Sequence, residues 1–215
     1  MIKEIADKSA TRKLYEEAFE DPEKFVDYYY EDKCIDNRII ASVEEDEVIS
    51  MLHLNPYFVN LNGKTVKSYY VVAVATTQNR RHEGQMRKVF EKTFEILSKE
   101  HVPFVFLLPV DQAIYSWMGF EKICNYSFDG PSDYGEIQEK YDVYCIRDED
   151  YIRRMNKEEM LRSYDLGSVF PDDPVIMAKI TDLETFSKAA GVQFADEKEA
   201  LKWLKEKNIY ICEEV

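Results

Sequence analysis

The sequence predicts an α/β (α+β) fold, a mixed sheet with flanking helices, followed by a small α+β subdomain. Three observations carry this expectation. Two long strand patterns, residues 48–61 and 65–76, flank Asn62-Gly63, a dipeptide suited to the left-handed residues of a tight hairpin turn. An amphipathic helix pattern opening at Gly84 follows, and after it the apolar stretch 103–108. Strand, helix, strand in that order requires a right-handed crossover and a locally parallel pair. Beyond Pro171-Asp172-Asp173-Pro174 the strand and helix signals start afresh.

The elements read as follows. Residues 9–30 form two helices broken at Asp21-Pro22, with Leu14, Ala18 and Phe19 on one apolar stripe and Phe25, Val26 and Tyr29 on the next. Residues 37–43 form a strand, and Glu44-Glu45-Asp46-Glu47 a charged turn. The strand 48–61 is interrupted near Asn55-Pro56, since proline cannot donate to a ladder. Its hairpin partner 65–76 is half exposed and then wholly apolar. Met86, Val89, Phe90, Thr93, Phe94 and Leu97 recur at spacings of three and four, one face of a helix. Residues 103–108 form a buried strand, 112–118 a short helix and 120–128 a further strand. A strand at 142–146 and a charged helix at 148–164 complete the middle of the chain. The tail holds a strand at 175–180, a helix capped by Thr181-Asp182, a helix at 197–207 and a strand at 209–212.

Composition narrows the function classes. The 215 residues are 45% hydrophobic and 33% charged, enough for one substantial core or a domain with an appendage. Disordered, collagen-like and disulfide-stapled classes are excluded. A net charge of −14, from 42 acidic against 28 basic residues, argues against nucleic acid and anionic membranes as partners. It is compatible with a cationic substrate, but many soluble proteins are acidic simply for solubility. The opening MIKEIADKSATRK lacks the apolar stretch of a secretory signal, and the apolar runs 69–75 and 102–110 are too short to cross a bilayer. Four scattered cysteines and three histidines show no ligand spacing. The expectation is a cytoplasmic protein with reduced thiols and no metal. Homo-oligomerisation stays open.

The stretch VVAVATTQNRRHEGQMRKVFEKTFEIL concentrates the chemistry. A strand delivers the chain into an Arg-rich loop that opens directly into a helix. The first N–H groups of a helix lack internal partners, and its dipole adds partial positive charge there. Arg80, Arg81 and Arg87 supply full charges, and Gly84 admits an anion close to the backbone. The loop reads as a pyrophosphate cradle, or equally as a solvated basic turn.

Here the sequence resembles the GNAT superfamily of acyl-CoA-dependent N-acyltransferases. Its pyrophosphate motif Q/R-x-x-G-x-G/A is matched by Arg81-His82-Glu83-Gly84-Gln85-Met86 except at Met86, which is bulkier than the usual residue. The resemblance implies a GNAT fold, mostly antiparallel with a splayed parallel pair. It also implies acetyl-CoA as co-substrate, held by Val74, Ala75, Thr76, Arg80, Arg81, Gly84, Gln85, Met86 and Arg87. In the family a short helix carries a tyrosine several residues before a Gly-Phe or Gly-Tyr. Ile114-Tyr115-Ser116-Trp117-Met118-Gly119-Phe120 fits that arrangement, which makes Tyr115 the implied general acid; packing beneath the helix is its other reading. The N–H near Val74 is the implied oxyanion donor.

Residues 9–128 further resemble the bacterial subgroup named for enhanced intracellular survival, and PVIMAKITDLETFSK the opening of that subgroup's sterol-carrier-like tail. Residues 129–173 are too few for the subgroup's second GNAT-like domain, so the chain resembles a shortened relative. The domain expectation is 1–130 for the GNAT domain and 131–215 for an extension, with 174–215 the sterol-carrier-like fragment. The subgroup's terminal carboxylate is its proposed base; the ending Glu213-Glu214-Val215 is not assigned that role.

The function implied is acetyl transfer from acetyl-CoA to a primary amine of a small molecule or peptide, the acidic surface favouring cationic amines. The alternative is a non-catalytic CoA-binding or regulatory module. His53 is a candidate base, though a lone strand histidine is more often a half-buried packing residue. Tyr28, Tyr29 and Tyr30 are candidates for an acceptor cleft. Phe186, Phe194, Trp203 and Leu204 fit either a lipid-like ligand or an ordinary core.

Overall fold

The computed structural model describes residues 1–126, 131, 133–162 and 173–213. The expected strand end at 127–128, the helix end at 163–164, the break at Pro171-Asp172, the domain boundary at 130 and the terminal Glu214-Val215 lie outside them. In chain order the strands are β1 (Ile2–Glu4), β2 (Arg38–Glu44), β3 (Glu47–Leu61), β4 (Lys64–Thr76), β5 (Phe104–Leu107), β6 (Glu121–Asn125), β7 (Val143–Cys145), β8 (Val175–Ile180) and β9 (Ile209–Tyr210). The α-helices are α1 (Arg12–Ala18), α2 (Glu23–Glu31), α3 (Gln85–Lys99), α4 (Ala113–Ser116), α5 (Tyr134–Lys140), α6 (Glu149–Arg162), α7 (Leu183–Ala190) and α8 (Glu197–Lys205). Of these, β1 and α5 were not legible as periodic patterns.

The strands hydrogen-bond in the order β1-β2-β3-β4-β5-β8-β6, with β7 on β3 and β9 on β7. The pairs β4–β5 and β7–β9 are parallel, while β1–β2, β2–β3, β3–β7, β5–β8 and β6–β8 are antiparallel. This is the mixed, mostly antiparallel sheet expected. Asn62 and Gly63 join β3 to β4 with φ of 50° and 86°, the two left-handed residues that a type I′ hairpin demands. The interruption expected at Asn55-Pro56 is a change of neighbour. Before it β3 pairs with β2, from Glu44↔Glu47 to Arg38↔Leu54; after it β3 pairs with β7, at Val59↔Cys145 to Leu61↔Val143. A residue with no N–H sits where neither ladder needs one.

The chain divides into two compact units. The first comprises the described residues of Met1–Asn55, Val71–Ile96 and Asp148–Ser168. Its core holds Met51, Leu52, Leu54, Tyr15 and Tyr29. Pro22 precedes α2 with φ −60°, and its carbonyl accepts the N–H groups of Phe25 and Val26. The polar helix α6 docks through charge. Arg154 binds Asp36 with two hydrogen bonds of 3.0 and 2.8 Å, and Arg153 and Lys157 both meet Asp32. Lys33 and Glu158 form a buried ion pair at 3.6 Å.

The second unit comprises the described residues of Pro56–Tyr70, Leu97–Arg147 and Val169–Val215. Strand β5 is buried along its whole length, as a strand covered on both faces must be. It pairs in parallel with β4 at Tyr69↔Val105 and Tyr70↔Phe106. Strand β8 lies between β5 and β6, antiparallel to both, with Phe104↔Ile180 on one side and Asn125↔Val175 on the other. Asp182 caps α7 by accepting from the N–H groups of Glu184 and Thr185, the cap that the sequence predicts. Phe186 meets Phe104, Phe194 and Trp203 at ring-centroid distances of 6.0, 5.9 and 6.0 Å, and Leu204 is buried. These rings form a packed core. Among the described residues no helix is long and apolar enough to cross a membrane.

Candidate functional site

The strand-to-helix loop belongs to the first unit. Where β4 ends, the Thr77 N–H bonds the Ile49 carbonyl at 2.9 Å, and Gln78–Arg80 makes one 3-10 turn. His82 and Gly84 then take left-handed φ of 66° and 75°. The first helical bond of α3 runs from the Lys88 N–H to the Gly84 carbonyl at 3.2 Å. The N–H groups of Gln85, Met86 and Arg87 precede it and have no acceptor within the helix. A Cβ on Gly84 would meet nothing within 4 Å. Glycine is therefore demanded by the backbone angle, and the space above it is open.

The sequence-predicted residues fall at different depths. Gly84, Arg81 and Arg87 are exposed, Val74, Thr76, Arg80 and Met86 half-buried, and Ala75 and Gln85 buried. Arg80 is already paired. Its Nη1 donates to Glu44 Oε2 at 2.6 Å, its Nη2 to Glu44 Oε1 at 3.2 Å, and its Nε to Glu83 Oε2 at 2.7 Å. The Gln85 amide donates to Glu44 Oε1 at 3.3 Å and accepts from the Ser42 hydroxyl at 3.1 Å. Arg81 Nε donates to the Thr76 carbonyl. The Arg80 guanidinium holds the Glu44 carboxyl below the usual carboxylate range. A cavity of about 640 Å³ beside this loop is lined by Glu44, Glu47, Glu17, Lys13, Thr77 and Arg80, among others.

Ala73, just before Val74, takes φ of 48° inside β4. A left-handed non-glycine residue within a strand breaks the pleat as a bulge does, and bulges re-aim backbone groups beside functional sites.

Tyr115 lies in the second unit, on the single turn α4. Asp111 starts that turn by accepting the Ala113 N–H at 2.8 Å. The Tyr115 ring is buried, edge-on to Phe120 at 5.9 Å, and burial pushes its phenol up to about 12. The group keeps its proton at neutral pH. Gly119 turns the chain with φ 86°, and a Cβ there would come within 3.2 Å of Lys179 Nζ.

His53 is enclosed. Its ring stacks on Tyr29 at 5.7 Å, and the Tyr29 hydroxyl lies 2.8 Å from Nδ1. Asn37 Nδ2 donates to the Tyr29 oxygen at 3.4 Å, so the Tyr29 hydrogen is free to point at His53. Burial pushes the imidazole down to about 3, too weak a base to deprotonate an ammonium of pKa ~10.4. Tyr28 and Tyr29 are buried, Tyr28 donating to the Arg154 carbonyl at 3.2 Å, and Tyr30 is half-buried against Thr11. Packing accounts for these rings.

Sequence reasoning missed Glu44, read only as part of a charged turn, together with Ser42, Glu83 and Ala73. Ser42 and Glu44 are two apart on β2 and share one face, which was the signal available. Among the described residues no group of three or more His, Cys, Asp or Glu side chains could hold a metal ion.

A family model described as the acetyltransferase (GNAT) domain matches residues 4–123. No curated protein matches the sequence. Similar solved structures include a protein of unknown function from Enterococcus faecalis V583, described as a probable N-acyltransferase, with TM-score 0.61 and 15% identity over 84% of this chain and 51% of that one. The chain thus spans about half the length of the Enterococcus protein. A GNAT family N-acetyltransferase (YhbS) from Escherichia coli in complex with CoA gives TM-score 0.53 and 16% identity over 90% and 86% of the two chains. A GCN5-related N-acetyltransferase from Kribbella flavida gives 0.55 and 11% over 88% and 74%. At such identities the likeness is one of fold.

Proposed function

The chain belongs to the GNAT acetyltransferase domain family, and from that premise we propose that it is an N-acetyltransferase moving the acetyl group of acetyl-CoA to a primary amine. The observation that carries this reading is the loop from β4 into α3, where left-handed Gly84 starts a fifteen-residue helix whose first N–H groups have no acceptor within the helix, beside Arg80, Arg81 and Arg87. That is the arrangement a diphosphate needs. The similar Escherichia coli protein binds CoA, and the proposal carries that ligand over to this chain.

The reaction joins the amine nitrogen to the acetyl carbon and breaks the thioester C–S bond. A lysine-type amine has a pKa of ~10.4, so a base or a water chain removes its proton first. The His53 imidazole, neutral and enclosed, is not that base. The oxyanion that develops is assigned to the N–H near Val74, beside the break in the pleat at Ala73. Tyr115 is assigned the departing sulfur. Full transfer from a phenol near 12 to a thiolate near ~8.5 would run uphill by ~5 kcal/mol. Tyr115 therefore gives its proton only as it regains one from the acetylated ammonium, and no phenolate accumulates.

The acceptor assigned is a small-molecule or peptide amine, cationic by the argument from a net charge of −14. We further propose that the chain is a shortened relative of the subgroup named for enhanced intracellular survival, with an extension after residue 130. The test is Tyr115→Phe. Expected is a fall in kcat of about 10²-fold or more, with the Kd for CoA within twofold of wild type. CoA binding with no turnover in either protein favours the non-catalytic module instead.

A further inference from the structure

We infer that Glu44 is a built-in competitor for the pyrophosphate of CoA, holding Arg80 until the ligand displaces it. The inference rests on the acetyl-CoA reading above and goes beyond it, because nothing in that reading requires a carboxylate at the mouth of α3.

A guanidinium grips a phosphate best through a pair of parallel N–H donors. Both Nη groups of Arg80 are turned to the two oxygens of Glu44, at 2.6 and 3.2 Å, and its Nε is given to Glu83 at 2.7 Å. One positive charge faces two negative ones, so the Arg80 cluster attracts no further anion as it stands. A ligand phosphate must take the Nη pair from Glu44.

Glu44 is held in place to compete. It ends β2 and pairs with Glu47 across a two-residue turn whose central residues, Glu45 and Asp46, have φ of 47° and 66°. Those are the left-handed angles of a type I′ turn, which fixes the strand ends tightly. The Gln85 amide bridges Glu44 to Ser42, tying the carboxylate to the first residue of α3. The carboxylate and guanidinium are each partly exposed, and an exposed ion pair of this kind is worth at most about a fivefold factor in an equilibrium. The clamp is therefore strong enough to lower affinity and weak enough to be opened. Glu44 acts through Arg80 and is a positioning residue.

The experiment compares wild type, Glu44→Gln and Glu47→Gln by calorimetric titration with CoA and by steady-state kinetics. Glu47 lies on the same turn and pairs with Lys13 instead of Arg80, so its variant removes an equal charge without opening the clamp. Expected for Glu44→Gln is CoA binding tighter by about fivefold, KM for acetyl-CoA lowered by a similar factor and kcat unchanged, the pattern of altered ground-state binding. The salt dependence of CoA binding should steepen, because Arg80 then gains an anion instead of exchanging one. Glu47→Gln should shift affinity by less than twofold. Equal gains in both variants, or weaker binding in Glu44→Gln, overturn the clamp while leaving the acetyl-CoA reading in place. Failure of all three proteins to bind CoA overturns that reading, and the clamp with it.

Discussion

At the scale of single residues, burial sets the protonation states. His53 is fully enclosed and its pKa falls from the usual ~6.5 to about 3. Between those values the unfolded chain binds a proton that the folded chain refuses, so stability falls as pH drops below ~6.5. At pH 5 the 1.5-unit difference is worth about 2 kcal/mol. Denaturant titrations at pH 7 and 5 should show that loss in wild type and a loss smaller by about 2 kcal/mol in His53→Gln. The short helix that carries Tyr115 and the helix start at Gly84 were legible because their signals are local in the chain. The partner of Arg80 was not legible: Glu44 is 36 residues away and meets it only through the β2 hairpin. Nor does a strand histidine announce from sequence whether its neighbours are water or, as here, Tyr15, Tyr29 and Tyr30.

At the scale of elements, backbone angle and desolvated charge decide what each segment tolerates. Gly84 has φ 75° and open space around its missing side chain. Gly84→Ala should therefore cost only the left-handed penalty, about 1 kcal/mol, seen as a lower thermal midpoint with an unchanged circular dichroism spectrum. Helix α6 poses a different case. Its apolar content is too low to hold it, and the buried Lys33–Glu158 pair lies under a cluster of ion pairs to Asp32 and Asp36. Lys33→Met alone should destabilise by about 3 to 5 kcal/mol, since it leaves a buried carboxylate without its cation. Adding Glu158→Leu should recover most of the loss, and denaturant melts of the three proteins check it. The sequence showed α6 as a charged helix, but not that one lysine and one glutamate would be buried face to face.

At the scale of the whole molecule, the strand order was the least legible feature. The strands β5, β6 and β8 were each visible from their apolar content, and the crossover rule correctly made β4 and β5 parallel. Nothing in the alternation of side chains says that β8 enters between β5 and β6, because strand pairing is written in backbone groups common to every residue. A chain ending at residue 130 would leave the facing edges of β5 and β6 bare. It should aggregate or unfold without a sharp transition, as size-exclusion chromatography and thermal melts would show. The Met86 substitution in the phosphate motif and the tie between Glu44 and Arg80 both lie at the mouth of α3, where family membership leaves the strength of ligand binding open.

The most direct measurement mixes the protein with acetyl-CoA and a panel of primary amines, including polyamines, aminoglycosides and lysine peptides, and follows free thiol and acceptor mass together. The account predicts thiol release matched one for one by an acetylated amine, fastest with a cationic acceptor. Thiol that never rises above the uncatalysed rate with any amine, in a protein that also shows no heat of binding with CoA, would contradict it.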